Sequence, residues 1–136
     1  MKLSSILKHV LDKLSVFEDN DYSIRVGMVD IEAIANFPTI WVNISKESIE
    51  YAVNGMIKGV TINVDILKRV MTIEPDTLSD ALDISDSVAD KLSERVIAIE
   101  DTKCIVSYAG ASIDYLYNNS GNILVRISQI YTVSYR

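Results

Sequence analysis

The sequence predicts an α+β fold, a mainly antiparallel sheet of about four to five strands packed against two amphipathic helices. Three observations carry this. The first seventeen residues place apolar side chains at spacings of three and four, and so do residues 78–99. Between and after them lie segments that alternate apolar and polar residues, the period of a half-buried strand. The order is helix, strands, helix, then a closing hairpin, which segregates helices from strands along the chain.

Leu3, Ile6, Leu7, Val10, Leu11, Leu14 and Phe17 make the apolar stripe of the first helix, and the run Glu18-Asp19-Asn20-Asp21 ends it. Such a stripe needs a sheet or another helix to cover it. Tyr22, Ile24 and Val26 alternate as a short strand, and residues 27–37 read as a loop with one turn of helix. From Pro38 the alternation sharpens through Ile40, Val42 and Ile44, with proline at the strand start, where its missing N–H is tolerated. Ile49, Tyr51 and Val53 suggest a further short strand, Asn54-Gly55 a turn, and Val60, Ile62, Val64 and Ile66 another strand, together an antiparallel meander.

Glu74-Pro75-Asp76-Thr77 breaks the pattern and opens the second helix, with Thr77 and Asp80 spaced as a capping box. Its apolar side reads Leu78, Ala81, Leu82, Ser85, Val88, Ala89, Leu92, Val96 and Ile99, and Asp80, Asp83, Asp86, Asp90 and Glu94 fall on the opposite face. Residues 103–117 are extended, with Ile105, Ser107, Ala109, Ala111, Ile113, Tyr115 and Tyr117 on one side, and the Asn118–Asn122 stretch turns them into the last strand. That strand, from Ile123 to Arg136, puts Ile123, Val125, Ile127, Gln129, Tyr131, Val133 and Tyr135 on one face. So regular a pattern, held to the last residue, predicts a strand paired on both sides.

Composition limits function. The 136 residues suit a single domain, 49% of them are hydrophobic, and no apolar run approaches the roughly 20 residues that cross a bilayer. The N-terminus lacks the uninterrupted apolar core of a secretory signal, and the one cysteine, Cys104, fits a reducing cytosol. A net charge of −6 with scattered Lys and Arg argues against tight nucleic-acid binding. One histidine (His9) and one cysteine make no zinc set, no Gly-rich phosphate loop is present, and acids spread along a helix do not converge on calcium. The expectation is therefore a non-enzyme without cofactor or metal. Trp41, on the polar side of its strand, is either covered by a helix or an anchor for another chain.

In order and length, "FPTIWVNIS" at 37–45, "KGVTINVDIL" at 58–67, a capped helix, and the closing "ILVRISQIYTVSYR" ending in Tyr135-Arg136 make the chain resemble the tail terminator (tail completion, neck) proteins of long-tailed bacteriophages. The resemblance implies a structural virion protein of the tail or neck, assembled in the host cytoplasm. It implies a homo-oligomeric, hexameric ring that caps the tail tube and stops its polymerisation. The ring also offers a surface to the head. Its partners would be copies of itself, the tail tube protein and a head-side connector protein, with no membrane. Trp41, Tyr131, Tyr135 and Arg136 are then candidates for oligomer or tube contacts. Asp80, Asp83, Asp86, Asp90 and Glu94 are candidates for lining a DNA passage, where like charge would keep the genome from sticking. A solvated helix face is the plainer reading of those acids. Two other readings stay open: a different neck or tail component, such as a head-closure or tube-associated protein, and a monomeric domain that binds a peptide or small ligand.

Overall fold

In a computed structural model, residues 1–27, 38–117 and 123–136 are described. Among them, six strands form one sheet and two α-helices pack on it. The elements are α1 (Leu3–Leu14), β1 (Ser23–Val26), β2 (Thr39–Ala52), β3 (Gly55–Val70), α2 (Pro75–Leu92), β4 (Val96–Ile99), β5 (Thr102–Tyr117) and β6 (Ile123–Tyr135). The sheet order is β1-β2-β3-β6-β5-β4, antiparallel throughout except that β1 runs parallel to β2. The fold is thus α+β and mostly antiparallel, with more strands than the sequence suggested.

Helix α1 buries Ile6, Val10 and Leu14, one residue per turn, against the sheet. Each such side chain contributes roughly 1.5–3 kcal/mol by leaving water. The chain then tightens into a 3-10 turn over Ser15–Asn20, buries Phe17, and stops at Asp21, whose φ of 66° lies in the left-handed region. Aspartate tolerates that conformation better than most residues.

β6 is central, between β3 and β5, as its pattern predicts. Its odd-numbered residues Val125, Ile127, Gln129, Tyr131, Val133 and Tyr135 are buried on the helix side, opposite Val60, Ile62, Val64 and Ile66 of β3. The opposite face is mainly polar, with Thr61, Asn63, Asp65, Ser128 and Thr132 aligned across β3 and β6. Leu67 and Leu124 are also buried, but outside the helix-side cluster.

Four sequence expectations change. The segments 38–45 and 49–53 are one strand, β2, with an irregularity between Ile44 and Lys46 that moves the apolar positions from even to odd numbers. A bulge adds a residue and so flips which side chains face the core. The same happens in β5 between Tyr108 and Ala111, where Gly110 has φ 101°. Ile105 and Ser107 therefore face away from the helices, while Cys104 and Val106 face them and are buried. Helix α2 ends at Leu92, and Val96 and Ile99 belong to strand β4, reached after Ser93. The cap also sits three residues earlier than the Thr77–Asp80 spacing suggests. Glu74 is the N-cap, Pro75 opens the helix, and Thr77 is the third helical residue, its Oγ1 accepting the Glu74 N–H at 3.1 Å. The loop expected over 27–37 and the turn at Asn118–Asn122 lie, beyond Gly27, outside the described residues.

Candidate assembly surface

The residues singled out from the sequence are not gathered in one place. Trp41 lies on the face away from the helices, between Arg25 of β1 and Asp65 of β3. It is half-buried, neither described α-helix lies on that face, and its indole N–H donates to the Gly27 carbonyl at 2.6 Å, so part of its role is to tie β2 to the end of β1. Tyr131 and Tyr135 are 2% and 6% exposed, inside the subunit's own core. The Tyr131 hydroxyl donates to Gln129 Oε1 at 2.6 Å, and its ring stacks on Tyr108 with centroids 4.9 Å apart. Burial pushes the Tyr22, Tyr131 and Tyr135 phenols up from their ordinary value, helped at Tyr22 by Asp80 and at Tyr135 by Glu47. Arg136 is exposed and borders an open depression of about 640 Å³ with Asp101, Lys103 and Tyr135.

The five acids divide. Asp80 forms an ion pair with Lys68 of β3 and accepts the Tyr22 hydroxyl at 3.3 Å, so it belongs to the contact between α2 and the sheet. Asp83, Asp86 and Asp90 are exposed on the helix. At 100° per residue they fall within one narrow stripe. Glu94 lies beyond the end of α2. Its charge acts near His9, whose pKa is lowered by burial first and by Lys13 next, against the raising influence of Asp12 and Glu94. The pocket beside His9 has about 20 Å³ of room, close to that of one water. Cys104 is buried in the sheet, which raises its thiol pKa, and its Sγ contacts the Thr102 carbonyl at 3.5 Å. Among the described residues no group of three His, Cys, Asp or Glu side chains could hold a metal ion. No described helix is long and apolar enough to cross a membrane.

Among the described residues, two groups of exposed apolar side chains lie at the sheet's ends. The hairpin of β2 and β3 extends past the end of β6 at Tyr135, which pairs with Lys58. Its tip exposes Ile49, Tyr51, Val53 and Met56, with Tyr51 80% exposed. On the other side, β5 exposes Tyr108, Ile113, Tyr115 and Tyr117 on the face that carries the helices, because α2 rests over β3 and β6. Contiguous exposed apolar and aromatic residues mark surfaces that meet another molecule.

Both of these regions contain strand edges open to pairing. β1 covers only Thr39–Val42 of β2, and β4 covers only Thr102–Ile105 of β5. Among the described residues, the edges at 43–52 and 107–117 have no strand beside them, and the Val106 N–H donates to the Arg95 carbonyl at 2.8 Å. An unpaired edge presents N–H and C=O groups in register for another strand. The surface can hold a neighbouring protein chain.

No family model matches the sequence, and no curated protein does. A number of solved chains are similar in fold, among them the following two. One is a chain of a structure described as the virion of a native gene transfer agent particle, with a TM-score of 0.63, 9% identity, and coverage of 93% of this chain and 90% of that one. The other has a TM-score of 0.56 at 10% identity, over 98% of this chain and 96% of that one. At these identities the likeness is one of fold, and it extends over nearly the whole chain.

Proposed function

We propose that this chain is a structural virion protein of a tailed, phage-like particle, and that it acts as the tail terminator. Copies form a ring, with six the number that the sequence resemblance implies. The ring sits on the last ring of the tail tube, ends tube growth, and offers its far side to the head-side connector. The observation that carries this reading is the near full-length likeness of fold to a chain of a gene transfer agent virion, at TM-score 0.63. The motif order at 37–45, 58–67 and 123–136 supports the finer assignment to the tail.

The mechanism is one of surfaces. A head-to-tail interface closed by rotational symmetry gives a ring with two unlike faces. One face copies the tube's complementarity and binds the growing end, while the other lacks it and accepts no further tube subunit. Growth stops without any bond being made or broken, so the protein needs neither cofactor nor metal and catalyses nothing. The projecting hairpin tip and the aromatic strip on β5 are the apolar surfaces available for such contacts. Trp41 and Arg136 are the exposed or half-exposed members of the set chosen from sequence.

Electron microscopy of tails produced without this protein tests the assignment. Overlong tubes lacking heads are the expected result. Tubes of normal length that lack heads would move the protein to a head-closure role, and normal joined particles would remove it from the tail altogether.

A further inference from the structure

Resting on the ring reading above, we propose that neighbouring subunits join by β-strand addition, the free edge of β2 in one copy pairing antiparallel with the free edge of β5 in the next. The occupant of each edge is thus a second copy of this chain, and the contact is head-to-tail.

Three observations lead to this interface. The first is direction. β2 and β6 run one way and β3 and β5 the other, so a neighbour brought beside β2 by rotation about an axis broadly along the strands presents an antiparallel β5. The second is where the edges stop. β1 blocks β2 up to Val42, and β4 blocks β5 up to Ile105. Among the described residues the open lengths are therefore 43–52 and 107–117, similar in extent and bounded at opposite ends, the Val106 N–H being taken by the Arg95 carbonyl. In the antiparallel pairing β1 of one copy flanks the far end of its neighbour's β5, and the neighbour's β4 flanks the tip of β2. These two stops leave little room for sliding, which matters because a slip of one residue turns every side chain to the wrong face.

The third is chemistry. The register that respects both stops and both faces sets Lys46 against Asp114 and Ser48 against Ser112. Within the subunit, Lys46 lies across from Thr61 and Asp114 across from Arg126, so Lys46 and Asp114 are on the face away from the helices. Opposite charges meet there, and Asp114, already 3.0 Å from Arg126, gains a second cation. On the helix side, Tyr51 of one copy comes opposite Tyr108 of the next and Ile49 comes diagonal to Tyr108 and Ile113, with Glu47 opposite Ile113, covering apolar side chains that the lone subunit leaves exposed.

The open edges are also displaced from one another along the strands. Glu47, near the middle of one, lies level with Val133, whereas Ser112, near the middle of the other, lies level with Ser128. That offset of about five residues, roughly 17 Å, is what tilted strands supply in a closed barrel.

The test uses cysteines at Ser48 and Ser112, both exposed, in particles or tails assembled from the variant chain and treated with a short bis-maleimide. Ser48→Cys with Ser112→Cys in one chain is expected to give a covalent ladder reaching the full ring. A mixture of the two single variants should give linked dimers and nothing larger, and neither single variant alone should link. Rings that form but do not link Ser48→Cys to Ser112→Cys would overturn the edge pairing and leave the terminator reading standing. Ser48→Cys linking to itself would show a two-fold contact and overturn it equally. Absence of any ring in particles whose tails are of normal length would remove the terminator reading, and this proposal with it.

Discussion

Gln129 of β6 spends both amide hydrogens on Ser85 of α2, one on its carbonyl oxygen at 2.8 Å and one on its hydroxyl at 2.9 Å. Its own oxygen accepts from Tyr131 at 2.6 Å, so a side chain with no exposure to solvent has its polar atoms matched. This small network fixes where α2 sits over the sheet. Gln129→Leu keeps the volume close but strands the Tyr131 hydroxyl in the core and removes the donor to the Ser85 hydroxyl, which costs about 2 kcal/mol. Tyr131→Phe removes a single donor and should cost about 1 kcal/mol. Urea unfolding of the two variants checks both values, with the midpoint falling and the slope unchanged.

Alkaline stability follows from the buried phenols. Tyr22 and Tyr131 are held well above the ordinary tyrosine value, in both cases first by burial. In the unfolded chain a tyrosine releases its proton near pH 10, while in the folded chain these two keep theirs. The folded state then binds more protons than the unfolded one, so stability falls as pH rises. Their contribution is fully present below about pH 10 and is lost above it, progressively toward the folded-state values. Unfolding midpoints measured from neutral pH upward should stay level as far as these groups are concerned and then decline. Tyr22→Phe should flatten the decline, and a decline of unchanged steepness would assign it to other groups.

Gly59 and Ser48 face each other across the β2–β3 hairpin, and a Cβ on Gly59 would come within 2.8 Å of the Ser48 hydroxyl oxygen. That oxygen is the end of a short side chain that can turn away, so Gly59→Ala should be folded but weakened by about 1 kcal/mol. Adding Ser48→Ala removes the obstructing atom and should restore most of the loss. Thermal unfolding of the four members of this cycle measures the coupling, and additive losses would show that the hairpin adjusts in some other way.

The elements whose patterns were long and unbroken were readable from sequence. The odd-even alternation of β6 identified both its buried face and its central place, and the stripe Ile6, Val10, Leu14 gave α1. What was hidden has a physical cause in each case. Bulges at Ile44/Lys46 and Tyr108/Ala111 reversed parity, so β2 looked like two strands and part of β5 was assigned the wrong face. The short β4 carried Val96 and Ile99 at a spacing that also continues a helix, and the two periods cannot be separated over four residues. Tyr131 and Tyr135 illustrate a second limit. An aromatic residue on an apolar strand face reads the same whether its cover is the subunit's own helix or another chain. Long strands with only two helices to cover them suggested an open edge, but its position at 43–52 and 107–117 was not legible, because an edge is defined by which strands end beside it.

The acids of α2 provide a last prediction. Asp80 is engaged by Lys68 and Tyr22, and Glu94 lies off the helix, so the stripe reduces to Asp83, Asp86 and Asp90. An amphipathic helix packed on a sheet needs a solvated face of this kind whatever it does, and exposed carboxylates supply it at little energetic cost. Replacing all three with lysine changes the local charge by about six units, enough to hold DNA if the helix faced the passage. Asp80 is left in place so that the contact of α2 with β3 survives. We expect tails from this triple variant to assemble and to release DNA at the normal rate, measured by dye-reported ejection. Slowed release with normal assembly would instead put α2 on the inner wall of the proposed ring, with the polar face of Thr61, Asn63, Ser128 and Thr132 turned outward.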